Sequence, residues 1–294
     1  MTQTLLVTGA AGHLGRRVVD YLLERNAGPI IATTRDPSKL AELAAKGVDV
    51  RAADFDKPET LSSAFAGADR LLLISTDAVY VPGQRVAQHK AAIAAAEMAG
   101  VKHIVYTSLP SPKPNSDSII EDDHFWTEQA IAASSMSWTF MRHGLYTDGL
   151  LWFLPQALQS GTWATATRNK PRHNVTRDDC AHADAAVLAS GDTTNRIYEI
   201  TGPAAPTAEE VAAIVSEATG KPLTHVDVSV DALRKGLEGA GLPPTLVGAM
   251  SGFDIATALG FYGTVSSAVE ELTGRAPTSV RDWIMANRRA FTGE

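Results

Sequence analysis

The sequence predicts an α/β fold: a doubly wound parallel sheet followed by a smaller, mostly helical C-terminal part. Three observations carry that prediction. Short β-branched runs alternate with helical stretches through the first two hundred residues, the runs are continuously apolar, and a glycine-spaced turn follows the first of them. Repeated strand–helix alternation makes βαβ units, whose crossovers cover both faces of a parallel sheet. Strands buried on both faces read as unbroken apolar runs rather than alternating ones.

In order, Leu5–Thr8, Ile30–Thr34, Val48–Ala52, Leu71–Ser75, Ile104–Ser108 and Trp138–Arg142 are the expected strands. Between them, Arg16–Arg25, Pro37–Lys46, Thr60–Phe65, Gln84–Ala99 and Asp123–Ser134 are rich in Ala, Leu and Glu at helical spacing. The rhythm changes after Arg142. Residues 144–174 form a polar and aromatic insertion, and a helix capped by Asp178 or Asp179 then runs to about Ala189. Ile197–Thr201 reads as a further strand returning to the sheet, and the chain from Thr207 onward is mostly helical. The expected division is a sheet domain of residues 1–143 plus about 175–202, and a smaller domain of residues 144–174 and 203–294.

Composition narrows the class. At 294 residues, 45% hydrophobic and 20% charged, the chain reads as an ordinary globular protein. The net charge is −7, with 33 acidic against 26 basic side chains and no Lys/Arg-rich run, so no nucleic-acid partner is expected. The single cysteine, Cys180, excludes an internal disulfide, offers no zinc cluster and reads as core. The N-terminus runs directly into Leu5-Leu6-Val7 without a basic leader, so a cytoplasmic protein is expected. The longest apolar stretch, Gly144 to Leu158, is broken by Asp148 and Pro155 and is too short to span a bilayer, so no membrane partner is expected.

The strongest chemical signal is Thr8-Gly9-Ala10-Ala11-Gly12-His13-Leu14-Gly15. Gly9, Gly12 and Gly15 give G-x-x-G-x-x-G between an expected strand and an expected helix. Such a turn lets backbone approach a pyrophosphate without a Cβ in the way, and the helix N-terminus beyond it supplies N–H groups and partial positive charge. The reading is a Rossmann-type domain that binds a nicotinamide dinucleotide. The second strand selects between the two forms. It ends Thr33-Thr34-Arg35, with Lys39 one turn later, where an Asp or Glu would read the ribose hydroxyls of NAD. A guanidinium there favours a 2′-phosphate, hence NADPH (NADP) as cofactor, with NADH less favoured. Asp36 is the alternative carboxylate if the strand end shifts by one. Asp54-Phe55 closes the third strand beside the expected adenine, Ile74-Ser75-Thr76 the fourth beside the nicotinamide ribose, and Thr107 lies near the end of the fifth. For these positions a plain strand-end cap is the rival reading.

These segments resemble the NmrA-like branch of the atypical short-chain dehydrogenases/reductases, and within it the bacterial NADPH:quinone oxidoreductases of the second type. The resemblance rests on Val7-Thr8-Gly9-Ala10, Arg35-Asp36-Pro37-Ser38-Lys39, Ala53-Asp54-Phe55, Gly83-Gln84-Arg85, Gln88-His89, Tyr106-Thr107-Ser108-Leu109, Asp123-His124, Thr127-Glu128, Arg142-His143-Gly144 and Tyr198-Glu199-Ile200-Thr201-Gly202. It is dense to about residue 148 and thinner beyond. It implies a Rossmann domain, a preference for NADPH, and a cleft against a small C-terminal domain. The chain departs from that family at His143, where the family carries Asn, and in the longer Val79-Tyr80-Val81-Pro82 insertion; both bear on the choice of acceptor.

The Y-x-x-x-K pair with which most short-chain reductases protonate their substrate is missing from the helix after the fifth strand. Its place holds His124-Phe125-Trp126-Thr127-Glu128. The i, i+4 spacing puts His124 and Glu128 on one face, so the carboxylate is expected to orient the imidazole and favour its charged form, making His124 a candidate general acid. Ser108 is a candidate donor to a substrate oxygen. A ketone that receives hydride becomes a strongly basic alkoxide, whereas a quinone becomes a stabilised anion that water can protonate. The missing tyrosine and lysine therefore tilt the expectation towards quinones or similarly activated carbonyls. His143, Tyr146, Trp152 and Phe153 are the expected pocket for a planar, apolar small molecule, with ordinary interdomain core the rival reading of the aromatic cluster. The expected function is an NADPH-dependent oxidoreductase, acting as monomer or homodimer. The alternatives are a ketoreductase of a larger carbonyl substrate and a non-catalytic, dinucleotide-sensing regulator.

Overall fold

The computed structural model describes residues 2–116 and 118–293. The N-terminal part runs β1 (Leu5–Val7), α1 (His13–Glu24), β2 (Ile30–Thr34), α2 (Ala41–Ala45), β3 (Asp49–Ala52), α3 (Leu61–Phe65), β4 (Arg70–Leu73), α4 (Gln84–Met98), β5 (His103–Ser108), α5 (Ile119–Ala132) and β6 (Ser137–His143). Next come β7 (Leu145–Tyr146), α6 (Leu154–Ser160), β8 (Thr162–Thr165), β9 (Asn174–Val175), α7 (Arg177–Ala189) and β10 (Arg196–Ile200). The chain ends with α8 (Ala208–Thr219), β11 (Thr224–Asp227), α9 (Val230–Gly239), α10 (Pro244–Ala258), α11 (Ala268–Thr273), α12 (Val280–Ala286) and α13 (Arg288–Thr292).

Seven strands form one parallel sheet in the order β10-β6-β5-β4-β1-β2-β3. β1 pairs with β2 on one side (Leu5 with Ile30) and with β4 on the other (Leu5 with Arg70). The strand order therefore reverses at β1/β4, and a crevice opens there at the carboxyl ends of the strands, where ligands bind in doubly wound sheets. Every helix that follows a strand in this sheet begins at that same edge, which brings α1, α4 and α5 to the crevice by their N-termini.

Two cores flank the sheet. Val18, Val19 and Leu22 of α1 recur at helical spacing and pack with Val7, Leu72, Met141 and the α7 residues Cys180, Val187 and Leu188. On the other face Leu6, Leu71, Ile104 and Phe140 meet Phe65 of α3 and Ala92, Ala95 and Ala96 of α4. Small residues on α4 let it pack closely against the sheet and α5. A third core joins Leu154 and Leu158 of α6 to Val211 and Val215 of α8 and Ile284 of α12, tying the segment after β6 to the C-terminal helices. Ala268 and Val269 of α11 pack in the first core instead, so this C-terminal helix belongs by contact to the sheet.

Several expectations are corrected. β3 is an edge strand whose Asp49 and Ala52 are exposed, so it is not buried on both faces; charge on an edge blocks pairing with another chain. Helix α7 is capped by Thr176, whose Oγ1 accepts from the Asp179 N–H at 3.0 Å, not by Asp178 or Asp179. Asp178 instead accepts from Tyr21 and pairs with Arg17 of α1. α5 starts four residues before Asp123. Two short parallel pairs, β7 with β9 and β8 with β11, were not legible, because each strand finds its partner far along the chain. Among the described residues no helix is long and apolar enough to cross a membrane.

Candidate active site

The glycine turn lies at the crevice and each glycine has a separate reason. Gly9 has φ +60°, a conformation that a side chain strains. A Cβ on Gly15 would lie 2.5 Å from Gly9 O and 2.9 Å from Ala10 Cα, so helix and turn meet there without room for one. Gly12 precedes α1 with no side-chain cap, leaving the first-turn N–H groups open to a ligand. Ala11, Gly12 and His13 are exposed, whereas Leu14 is buried in the first core and offers only its backbone to a ligand.

Arg35 and Lys39 follow β2, both exposed. The rival carboxylate, Asp36, is turned into its own loop: its Oδ1 accepts from Ser38 N at 3.1 Å and from Ser38 Oγ at 2.6 Å, and these bonds hold its carboxyl below the usual range. After β3, Asp54 Oδ1 accepts from the Asp56 N–H at 3.1 Å, a strand-end turn that matches the rival reading of that residue. Phe55 is half-buried against the second core.

The crevice floor is zipped together by hydroxyls. Thr8 Oγ1 donates to Leu72 O at 3.1 Å and accepts from Ile74 N at 2.9 Å, and Thr107 Oγ1 accepts from Ser75 N at 2.9 Å. Both side chains hold strand ends in register rather than reaching outward. Thr76 N donates to His89 Nε2 at 3.1 Å, while Thr76 Oγ1 donates to Gln88 Oε1 at 2.6 Å. Gln88 in turn donates to Asp56 at 2.8 Å. Because His89 Nε2 accepts, its proton sits on Nδ1, 2.9 Å from Thr127 Oγ1. Gln88 and His89 enter the sequence reading only through the family resemblance, with no role attached. The signal was their position on the stripe Arg85, Gln88, His89, Ala92, Ala96, a polar start to a buried helical face.

The His124–Glu128 pair is not formed. Glu128 Oε1 accepts from Ser108 Oγ at 2.7 Å, and Arg142 Nε and Nη2 donate to the same carboxylate at 3.0 and 2.8 Å. The spacing does put both residues on the buried face of α5, but β5 and β6 supply stronger partners for the carboxylate. Ser108 is correspondingly committed: its hydroxyl proton goes to Glu128 rather than to a substrate oxygen. His124 Nδ1 lies 2.7 Å from the Tyr106 hydroxyl. Burial first, and then the charge of Arg85, holds its imidazole well below the ordinary histidine range. His124 is thus a neutral, buried ring, and no carboxylate favours its charged form.

Beside it lies Arg85, 6% exposed, whose Nε and Nη1 meet no acceptor. Asp123 Oδ2 is likewise without a donor, and burial lifts this carboxyl to about 6 against the pull of Arg85. A buried guanidinium with unmet donors calls for an explanation, and a ligand oxygen is one. On the β6 side, His143 is buried behind the crevice rather than in its wall. Its Nε2 is 3.0 Å from Asp184 Oδ1 and its Nδ1 is 3.0 Å from the Tyr146 hydroxyl. Arg177 stacks on the Tyr146 ring at 4.9 Å and on Trp152 at 5.7 Å. Trp152, at 70% exposed, and Phe153, at 37%, form a bare aromatic edge. Among the described residues no group of three His, Cys, Asp or Glu side chains is placed to hold a metal.

The buried histidines set an acid limit on the fold. Burial holds His89 down to about 3 and His103 to about 4, against 6.5 in water. Below pH 6.5 the unfolded chain therefore binds protons at both residues, and at His124, that the folded chain refuses. Asp123 works the other way, since the folded state takes its proton at about 6 rather than 3.8. The buried histidines outnumber the raised carboxyl, so the unfolded chain binds more protons and unfolding free energy should fall, by on the order of 1–3 kcal/mol per pH unit, from roughly pH 6 to pH 4.5. Urea unfolding midpoints across that window test this, and a flat profile would contradict the neutral-histidine assignment.

The NmrA-like family model matches residues 1–283. The solved structure of the NADPH-dependent quinone oxidoreductase of Escherichia coli complexed with NADPH is similar, with a TM-score of 0.89 at 34% identity, covering 96% of this chain and 99% of that one. The Citrobacter sp. triphenylmethane reductase complexed with NADP(H) gives a TM-score of 0.86 at 33% identity, covering 96% and 99%. The NAD(P)H azoreductase of Xenophilus azovorans is 30% identical over 98% of this chain and 99% of its own length. The chain belongs to the NmrA-like family.

Proposed function

We propose that the chain is an NADPH-dependent oxidoreductase that reduces a quinone or similarly activated small-molecule acceptor. The observation that carries this reading is the open glycine turn at the β1/β4 crevice, continued beyond β2 by the exposed cations Arg35 and Lys39. The residues fit the cofactor. Gly9, Ala11, Gly12 and His13 offer exposed backbone before the uncapped first turn of α1, and Asp36 is tied to Ser38 rather than free to take ribose hydroxyls. Relatives with quinone and dye acceptors support the same choice of chemistry.

Bound NADPH supplies a hydride to the acceptor. Arg35 and Lys39 would neutralise the 2′-phosphate, and the ends of β4 and β5, from Ile74 to Thr76 and at Thr107, would wall the nicotinamide side. Asp54 and Phe55 would hold the adenine end. Tyr146, Trp152 and Phe153 offer an aromatic wall to a planar acceptor. The unmet N–H groups of Arg85 stabilise the negative charge that develops on the acceptor oxygen, which a buried cation does better than an exposed one. His124 helps by staying neutral and holding Tyr106. This reading assigns cofactor binding to residues 1–143 plus about 175–202, and acceptor binding mainly to residues 144–174 and 203–294.

The test has two arms. Oxidation of NADPH should depend on an added quinone; tight cofactor binding without such turnover would leave a dinucleotide sensor. Arg35→Ala should weaken NADPH by roughly ten- to hundredfold and NADH far less, since only NADPH carries the extra anion. Equal loss for both would make Arg35 structural and remove the basis for preferring NADPH.

A further inference from the structure

We propose that Asp184, His143 and Tyr146 form a proton relay from the interior of the protein to the reduced acceptor, supplying the proton that the missing tyrosine–lysine pair would have given. The proposal rests on the reductase reading above and goes further by naming the proton's source and the acceptors that need it.

Two successive contacts carry the argument. Asp184 Oδ1 lies 3.0 Å from His143 Nε2, and His143 Nδ1 lies 3.0 Å from the Tyr146 hydroxyl. Asp184 has no exposed surface, and its Oδ2 meets no donor. A carboxylate held so deep, with one ring nitrogen as its partner, is costly to keep for structure alone. Its chemical use is to fix which ring nitrogen points at Tyr146 and to stabilise the imidazolium, as the carboxylate does in a Ser-His-Asp arrangement. Asp184 occupies the stripe Cys180, Ala183, Asp184, Val187 on α7, which is otherwise apolar, and faces the end of β6.

Tyr146 is the outlet. It is half-buried on the carboxyl edge of the sheet, and its ring lies under Arg177 at the aromatic edge formed with Trp152. The charged and titratable groups around it are Arg177 and Cys180 of α7, Asp148 in the turn after β7, and Arg85 of α4. Burial keeps the phenol neutral, so it passes a proton on rather than ionising at rest. The two rival donors are engaged elsewhere: Ser108 donates to Glu128, and His124 Nδ1 faces Tyr106.

The step balances. Hydride adds to one atom of the acceptor double bond and the π pair moves to the other atom, which becomes anionic. The Tyr146 O–H gives its proton to that atom, and the Tyr146 oxygen takes the Nδ1 proton of the His143 imidazolium. This leaves a neutral imidazole with Nε2–H on Asp184, and solvent restores the missing proton before the next turnover. Azo nitrogens and unactivated ketones form strongly basic anions and need this step. A quinone needs it little, and a cationic triarylmethane dye, neutral once reduced, not at all.

Tyr146→Phe and wild type should be compared on methyl red (azo), 1,4-benzoquinone and crystal violet, with NADPH binding and melting temperature as controls. The ratio of azo to crystal violet turnover should fall by about 10²–10⁴-fold, and the quinone ratio by less than about tenfold. Equal loss on all three acceptors would overturn the relay and make Tyr146 a wall. A wild type that binds NADPH but reduces none of the three would overturn the reductase reading, so the two failures are distinct. Independently of turnover, nitrogen NMR of the His143 ring without cofactor should show its Nε2–H hydrogen-bonded to Asp184, a signature that Asp184→Asn should change. An unchanged spectrum would show that Asp184 does not orient the ring and would overturn the relay.

Discussion

Gly12→Val is expected to lower NADPH affinity by at least about three orders of magnitude, about 4 kcal/mol, with the fold largely retained. Gly12 has φ −81° and ψ 167°, extended backbone open to any residue. A Cβ there would meet only Gly9 O, at 3.2 Å, which has to yield by a few tenths of an ångström. The cost to folding is therefore small. The cost to binding is large, because the branched side chain stands over the first turn of α1, where the pyrophosphate would receive N–H bonds. Gly15→Ala gives the contrast. Its Cβ would press on Gly9 and Ala10 backbone at 2.5–2.9 Å, so both melting temperature and affinity should fall. Titration of NADPH beside thermal unfolding separates the two variants. Unchanged affinity in Gly12→Val would mean that the turn serves only to join β1 to α1.

Arg70→Met should destabilise the fold by about 3–5 kcal/mol. Arg70 is fully buried at the start of β4 and donates to three carbonyls at the end of α7 and just beyond: Leu188 at 2.8 Å, Val187 at 3.1 Å and Asp192 at 2.6 Å. Carbonyls at a helix C-terminus lack partners within the helix and carry its negative end, so a cation answers both needs. Burial draws its guanidinium down to about 10, still charged at neutral pH. Methionine fills much of the volume but leaves these carbonyls in a space closed to water. A fall in melting temperature on the order of 10 °C is expected, with cofactor affinity little changed, because Arg70 lies at the opposite edge of the sheet from the crevice. A loss below about 1 kcal/mol in urea unfolding would show that water reaches the helix end.

All of the first six strands, and the helices between them, lie within a few residues of where periodicity places them. Continuous apolar runs and α1's spacing of Val18, Val19 and Leu22 are local properties, and local pattern is what places such elements. The glycine turn was legible for the same reason, since Gly9 and Gly15 answer to backbone within a few residues of themselves. So was the exposed position of Arg35 just past the end of β2.

The side-chain partnerships of the candidate site depended on contacts distant in sequence. Spacing on α5 put Glu128 and His124 on one face, but Arg142 on β6 and Ser108 on β5 claimed the carboxylate, and neither strand's register could be read from the helix. Arg85 looked like an ordinary polar residue near a helix start until α4 packed between the sheet and α5 and left its guanidinium without an acceptor. Asp184 and His143 are 41 residues apart and meet because α7 folds back across the end of β6. The sequence alone determined the strand order's raw material, the glycine turn and the cation beyond β2, all set by short-range backbone chemistry. The tertiary structure decided which buried polar groups share a proton or go unpaired, because desolvation and hydrogen-bond partners depend on what lies opposite in space.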